Sequence, residues 1–155
     1  MGLRRTGTGI PTPDVRVSFA GDRRALSVPT VRRIVTAVLD GQDVTRATVT
    51  VTFMSPARMR SLNRRTFGRD RPTDVIAFSL PHTDELVGDV YVCPTVARRS
   101  ARRFEISPRE ELLRLVVHGI LHVLGHDHPD GSSRVRSPMW KLQERYVTAL
   151  TGGSS

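Results

Sequence analysis

Three histidines in one short run have a spacing that could hold a metal ion. His118, His122 and His128 lie in the segment HGILHVLGHDH, four and six residues apart. On a helix, residues four apart share one face and lie roughly 6 Å apart along the axis. Gly125 can adopt a left-handed backbone and end that helix, so that His128 returns from a short loop. The spacing therefore predicts a three-histidine metal site.

The ligand set favours a catalytic metal over a structural one. Three imidazoles leave a fourth coordination position to water, whereas a structural zinc site closes its shell with four protein ligands. The chain's only cysteine, Cys93, lies far from the histidines in sequence and is not expected to complete the shell. We therefore expect one Zn²⁺ per chain, although such a site also accepts other first-row metals.

The residue after the first histidine bears on the kind of hydrolysis. In metzincin proteases the same spacing includes a Glu at this position, and that Glu serves as the general base. Here the position is Gly119, so no carboxylate inside the run can take a proton from a metal-bound water. The sequence favours metal-assisted hydrolysis of a substrate other than a peptide. A small metzincin-like metalloprotease that takes its base from elsewhere stays as an alternative.

Two further residues of the run have open roles. His126 could replace His128 as a ligand, but a residue directly after a helix-ending glycine more often points to solvent. Asp127 could orient a ligand imidazole or cap the turn.

The charge balance favours a polyanionic partner. The chain has 24 basic and 15 acidic residues, a net charge of +9, and all but one of the basic residues are arginine. Arginine can donate two parallel hydrogen bonds to a phosphate, so RNA is the expected substrate. Arg98, Arg99, Arg102 and Arg103 recur on one broad helix face, which is either a track for RNA phosphates or an ordinary solvated face. With only 5% aromatic residues, recognition of RNA shape and backbone is expected over base stacking.

The elements that must position these residues can be read from periodicity. DVRVSFA, ATVTVTF, TDVIAFSL and VGDVYVC alternate or are rich in β-branched residues, and the last two are close enough for an antiparallel hairpin. Ser-Pro pairs at Ser55, Ser107 and Ser137 mark helix starts. The helix after Ser107 is apolar almost all round and should be buried. The pattern predicts an α+β fold, a small mixed β-sheet with helices packed on it and a buried central helix carrying two histidine ligands.

Length and composition indicate one domain. The 155 residues divide into a loose N-terminal tail, 1–12, a single metallohydrolase domain, 13–151, and a flexible C-terminus, 152–155. No apolar run is long enough to span a bilayer, and the N-terminus lacks the apolar stretch of a secretion signal. We expect a cytoplasmic protein with no membrane partner.

Several segments together resemble the YbeY family of bacterial endoribonucleases, which act in ribosomal RNA maturation. From about Val51 onward these segments are LNRRTFGRDRPTDVIAFSL, GDVYVC, EELLRLVVHGILHVLGHDH and MWKLQE. The resemblance implies a mixed sheet flanked by helices, with His118, His122 and His128 as the zinc ligands. It also implies single-strand-type endoribonuclease activity in ribosome quality control, with ribosomal RNA or ribosomal particles, and proteins associated with them, as partners.

The chain departs from the family pattern at two positions. The family run Tyr-Asp-His is replaced by one that begins with His126, and the arginine that the family commonly carries before a helix-ending glycine is replaced by Phe67. Arg65 and Arg69 lie on either side of Phe67 and are the candidates for the catalytic arginine. Asp74, in the family segment TDV, either caps a strand or shapes the cleft. A non-catalytic RNA-binding ribosome assembly factor with a structural metal is the second alternative.

Overall fold

The computed structural model describes residues 9, 11–22, 25–80 and 84–152. The expected loose termini, 1–12 and 152–155, lie mostly outside these residues. Within them, the strands are β1 Asp14–Ala20, β2 Ala47–Met54, β3 Val75–Leu80 and β4 Leu86–Val92. The α-helices are α1 Val28–Gly41, α2 Pro56–Phe67, α3 Pro94–Arg103, α4 Pro108–Val123 and α5 Pro138–Thr151. A short 3-10 helix, Gly131–Arg136, lies between α4 and α5.

The four strands form one mixed sheet in the order β1-β2-β4-β3. β1 pairs with β2 and β2 with β4 in parallel, whereas β3 and β4 are antiparallel. The predicted α+β fold and the pairing of the last two strands are thus confirmed; the connection between them, 81–83, lies outside the described residues. The parallel pairs require crossover connections, and α1 and α2 lie in them.

Serine caps determine where four of the helices begin. The Oγ atoms of Ser27, Ser55, Ser107 and Ser137 each accept a hydrogen bond from the backbone N–H three residues later, and a proline follows within two positions. A cap of this kind stabilises a helix by about 1 kcal/mol. The cap at Ser107 sets the start of α4, the helix that carries His118 and His122.

Helix α4 is the buried centre of the fold, as its apolar composition predicted. It packs against the sheet through β3 and β4 and against α1, α3 and α5. Most of its residues after the first turn are buried, including the ligand candidate His118. In the described part of the chain, no helix combines the length and apolar character needed to cross a bilayer.

Two glycines allow α4 to lie directly against β4. A Cβ atom at Gly119 would overlap with Cγ1 of Val90, and a Cβ at Gly88 would overlap with Cγ1 of Val123. At the first contact the glycine belongs to α4, and at the second it belongs to β4. The backbone of the helix is thereby held against the strand at two points, one of them next to His118.

The variant Gly119→Ala should be less stable than the parent. Overpacking a buried contact costs about 1–3 kcal/mol of folding free energy. This loss should exceed the roughly 1 kcal/mol by which alanine stabilises a helix relative to glycine. Thermal unfolding should show a lower midpoint. Gly9→Ala is a control for a glycine without such a contact, because no atom of the described residues lies within 4 Å of a Cβ at that position. An unchanged or higher midpoint for Gly119→Ala would contradict this account of the contact.

Candidate metal centre

The structure brings the three predicted ligands together. His118 and His122 lie on the same face of α4, and Gly125, with φ of 95°, turns the chain so that His128 approaches from the following loop. One nitrogen from each ring lies within 4.8 Å of the others. The ring centroid of His118 is 4.5 Å from that of His122 and 5.1 Å from that of His128.

This arrangement fits a tetrahedral metal ion. The Nε2 atoms of His118 and His122 lie 3.0 Å apart, close to the roughly 3.4 Å expected for two nitrogens bonded to zinc at about 2.0–2.1 Å. Among the described residues, no cysteine, carboxylate or further histidine joins the group. A bound ion would keep at least one coordination position for water or substrate.

Two of the imidazoles are oriented by carbonyl acceptors. His118 Nδ1–H donates to Oε1 of Gln143 at 2.6 Å, and His128 Nδ1–H donates to the backbone carbonyl of Pro129 at 3.1 Å. In each ring this leaves the Nε2 lone pair for a metal. Metal-binding histidines commonly donate their other ring N–H in this way, which holds the tautomer and the ring orientation.

Sequence reasoning missed Gln143. It is buried on α5 between Met139 and Val147, four residues from each, and its side chain is only 1% exposed. A glutamine in the middle of an otherwise apolar helical stripe needs a polar partner inside the protein. This polar residue at an apolar position was the signal in the sequence that Gln143 has a buried partner. The structure shows that the partner is His118.

Burial also sets the protonation of the site. It lowers the pKa of His118 from 6.5 to about 4, because the charged imidazolium is poorly solvated there. Burial is likewise the main cause of the lowered pKa of His122, and the neighbouring His128 adds to it. Both rings are therefore neutral near pH 7, the state in which they can bind a metal.

The two neighbours in the histidine run have other contacts. His126 Nε2–H donates to Oε1 of Gln42 at 2.9 Å, and this histidine is not part of the metal-binding group. Asp127 Oδ1 accepts a hydrogen bond from the backbone N–H of His128 at 2.8 Å. Asp127 thus caps the turn and, in the same contact, holds the backbone of a candidate ligand.

The histidines lie in an open cavity of about 600 Å³, which we call the metal cleft. Its wall also contains Phe67, Arg69, Asp74, Asp127, Asp130 and Arg134. Asp74 accepts a hydrogen bond from the backbone N–H of Val75 through Oδ1, at 2.7 Å, so it caps the start of β3 and borders the cleft.

The structure separates the two candidates for the catalytic arginine. Arg69 lines the metal cleft, as does Phe67, whose side chain is 57% exposed. Arg65 lines a different cavity of about 270 Å³, together with Arg58 and Tyr91. Only Arg69 of the two therefore shares a cavity with the histidines.

The four arginines of α3 lie outside the metal cleft. Arg98 pairs with Asp22 at 3.6 Å, and Arg103 lies over the ring of Phe104, 5.7 Å from its centroid. Arg99 and Arg102 are exposed. Their contact with RNA stays a prediction.

Arg134, on the 3-10 helix, is a second residue that sequence reasoning missed. It lines the metal cleft, and its guanidinium carbon lies 5.5 Å from the centroid of the Trp140 ring. Its Nε is buried and has no hydrogen-bond partner among the described residues. No periodic pattern marks such a short helix, so only the fold reveals this position.

The fold and the site define a small α+β protein with three histidines that could hold a metal ion in an open cleft. Comparison with known proteins narrows this class: the family model described as Endoribonuclease YbeY matches residues 19–151. The chain belongs to the YbeY endoribonuclease family.

Individual relatives agree with this assignment. Endoribonuclease YbeY of Thermotoga maritima is 38% identical over 104 residues, covering 67% of this chain and 68% of the relative. That of Chlorobium phaeovibrioides is 33% identical over 135 residues, covering 86% and 88%. The solution structure of a Thermotoga maritima protein matches with a TM-score of 0.65 and 30% identity over 89% of each chain.

Removing the acceptor on Gln143 should weaken metal binding without removing a ligand. In Gln143→Leu the Nδ1–H of His118 loses its partner, and loss of such a contact typically lowers metal affinity about 10–100-fold. Titration of the metal-free protein with zinc against a competing chelator measures this. Gln143→Glu, which keeps an acceptor, should bind zinc more tightly than Gln143→Leu; equal affinities would show that the hydrogen bond has no role in binding.

The stability of the metal-free protein should fall in acid because of His118. Its pKa is about 4 in the folded state against 6.5 ordinarily, so below about pH 6.5 the unfolded chain binds the proton more readily. The loss should develop as pH falls from about 6.5 to 4 and reach about 3 kcal/mol. Denaturant unfolding across this range should show a smaller decrease in His118→Gln. Parallel curves for the two proteins would refute the assignment.

Proposed function

We propose that this protein is a zinc-dependent, single-strand-type endoribonuclease that acts in ribosomal RNA maturation and ribosome quality control in the cytoplasm. The observation that carries the proposal is the convergence of three histidine nitrogens in an open cleft whose wall includes arginine side chains. Membership of a family of endoribonucleases supports RNA as the substrate. Ribosomal RNA or ribosomal particles, and proteins bound to them, are the proposed partners.

His118, His122 and His128 would hold the zinc ion. When bound there, zinc supplies an activated water at neutral pH or stabilises charge developing on a phosphate. The chain's own contribution is to keep the imidazoles neutral by burial and to orient that of His118 through Gln143.

Arginine side chains in the cleft would bind the scissile phosphate. Arg69 and Arg134 both line the cavity that contains the histidines. A guanidinium can donate two parallel hydrogen bonds to phosphate oxygens, and such donors lower the barrier by stabilising the charge that develops during cleavage. The exposed arginines of α3, Arg99 and Arg102, would add sequence-independent contacts to the RNA backbone.

The contact of α4 with β4 leaves no room for a general base at the position where metzincins carry theirs, so a metalloprotease would have to take its base from elsewhere. The position after the first histidine, where metzincins carry their general base, is Gly119, and even a Cβ atom there would overlap with Val90. A glutamate at this position would therefore disrupt the packing of the helix that carries the ligands.

Metal content and RNA cleavage, measured side by side on protein purified without a histidine tag, test the proposal. Elemental analysis should find about one zinc per chain in the parent, and the zinc-loaded parent should cut single-stranded RNA. His118→Ala and His122→Ala should lose both the metal and the cleavage. His126→Ala is the matched control and should keep both, because His126 contacts Gln42 instead of the cluster.

The alternatives predict different results in the same assays. Zinc-dependent cleavage of casein, lost in His122→Ala, would favour a protease. RNA binding that survives metal removal, with no cleavage in any metal ion, would favour an assembly factor whose metal is structural. Either result would overturn the proposed activity.

The two arginines near Phe67 should differ in their effect on cleavage. Arg69→Gln should lower kcat/KM for RNA by about 10²–10³, the usual effect of removing a group that stabilises transition-state charge. Arg65→Gln should change it little, because Arg65 lines a separate cavity. Zinc content should stay unchanged in both. A larger loss in Arg65→Gln would reverse this assignment.

A further inference from the structure

A second cavity, of about 500 Å³, lies next to the metal cleft. It is bordered by residues from α3, α4, α5 and the 3-10 helix. Asp74, His118 and Arg134 line both cavities, so the two spaces adjoin at these residues. A ligand that reaches the histidines can therefore extend into the second cavity.

One part of the second cavity is apolar and contains aromatic rings. Trp140, Phe104, Leu115 and Val135 line it. Phe104 is 64% exposed and Val135 is 53% exposed, unusually high for large apolar side chains that line a cavity. Such a surface suits the flat face of an aromatic ring, because stacking on it removes apolar area from water.

The polar part of the second cavity is acidic. Glu144 receives two hydrogen bonds from Arg114, at 2.7 and 3.1 Å, and Glu111 receives one at 3.3 Å. Glu110 lies 3.5 Å from the same guanidinium. Three carboxylates thus surround one arginine in a chain whose net charge is +9. Glu111 and Glu144 line the second cavity, and their carboxylate oxygens can accept hydrogen bonds from N–H donors.

Arg134 lies at the boundary between the second cavity and the metal cleft, because it lines both. Its guanidinium can donate two parallel hydrogen bonds to a phosphate there. The aromatic rings and the carboxylates of Glu111 and Glu144 in the second cavity suit an uncharged ring with N–H groups. The boundary therefore suits a phosphate, and the second cavity suits the base attached to it.

We propose that the second cavity is a subsite for a purine base of the RNA, guanine before adenine, with Arg134 binding the adjoining phosphate. The proposal rests on the RNA substrate of the proposed function. Guanine presents two adjacent N–H donors, N1 and N2, on one edge, and these match the two oxygens of a carboxylate such as Glu111. The amino groups of adenine and cytosine lie beside a ring acceptor, and uracil has a single N–H between two carbonyls, so each matches less well.

The chain carries a reporter for this subsite, because its only tryptophan is Trp140. Intrinsic fluorescence can be followed while GMP, AMP, CMP, UMP or ribose 5-phosphate is added, with correction for nucleotide absorbance. GMP should quench Trp140 and half-saturate at a concentration at least about fivefold below that of UMP, which corresponds to one well-matched pair of hydrogen bonds. Ribose 5-phosphate should quench little. Zinc-loaded and metal-free protein are both titrated.

Two variants test the location of the bound base. Ser100→Tyr places a ring inside the second cavity, which Ser100 lines, and it should abolish quenching by GMP. Thr148→Tyr, at an exposed position of α5 away from the cavity, is the matched control and should bind as the parent does. Glu111→Gln should reduce the preference for GMP over UMP.

Arg134→Gln tests the phosphate side. In the parent, GMP should bind more tightly than guanosine, and in Arg134→Gln this difference should shrink. Guanosine itself should bind both proteins alike, which separates a lost phosphate contact from a misfolded cavity.

Other outcomes would overturn the subsite. Equal half-saturation by GMP, UMP and ribose 5-phosphate would indicate a phosphate site only, and absence of quenching at millimolar nucleotide would show that no base binds. The same experiments distinguish failure of the subsite from failure of the nuclease proposal. If the parent binds GMP but never cuts RNA, the nuclease proposal is wrong and the subsite stands. If the parent cuts RNA but does not bind GMP, the subsite is wrong and the nuclease proposal stands.

Discussion

The close contact between α4 and β4 is the constraint on which the rest of the structure depends. The helix can approach the strand only because Gly119 and Gly88 lack side chains at the two crossing points. This close approach buries α4 and fixes the positions of His118 and His122 relative to the sheet. A metal site built on a rigid helix keeps its ligand geometry better than one built on loops. The third candidate ligand, His128, can then come from the loop that follows the turn at Gly125.

The same packing places the candidate metal ligands and the candidate phosphate-binding arginines in different parts of the cleft. His118 and Gln143, which orients it, are buried on α4 and α5, whereas His122 and His128 border the open cleft. Groups suited to bind a polyanion lie at the rim, on the 3-10 helix at Arg134 and just after α2 at Arg69. The separation is physically reasonable, since neutral imidazoles tolerate burial whereas guanidinium groups need solvent or an anion.

The fold class, the helix starts at Ser55, Ser107 and Ser137, and the grouping of the three histidines could be predicted from the sequence, because each depends on local spacing. Periodicity locates strands and helices, and a serine followed by proline marks a helix start whatever the tertiary structure. The contacts of Gln143 and Arg134 could not be read in this way, since each meets the site only after distant elements pack. Arg65 and Arg69 looked equivalent in sequence, yet the helix end at Gly68 directs them to different cavities.

The hydrogen bond between His118 and Gln143 has a consequence for the C-terminal helix. It is a polar link between α4 and α5 inside an apolar interface, and it depends on a neutral imidazole whose Nδ1 carries the proton. A metal bound to Nε2 would enforce that tautomer, so metal binding and the packing of α5 on α4 would favour each other by thermodynamic linkage. Loss of the metal would then make it easier for α5 to separate locally from α4.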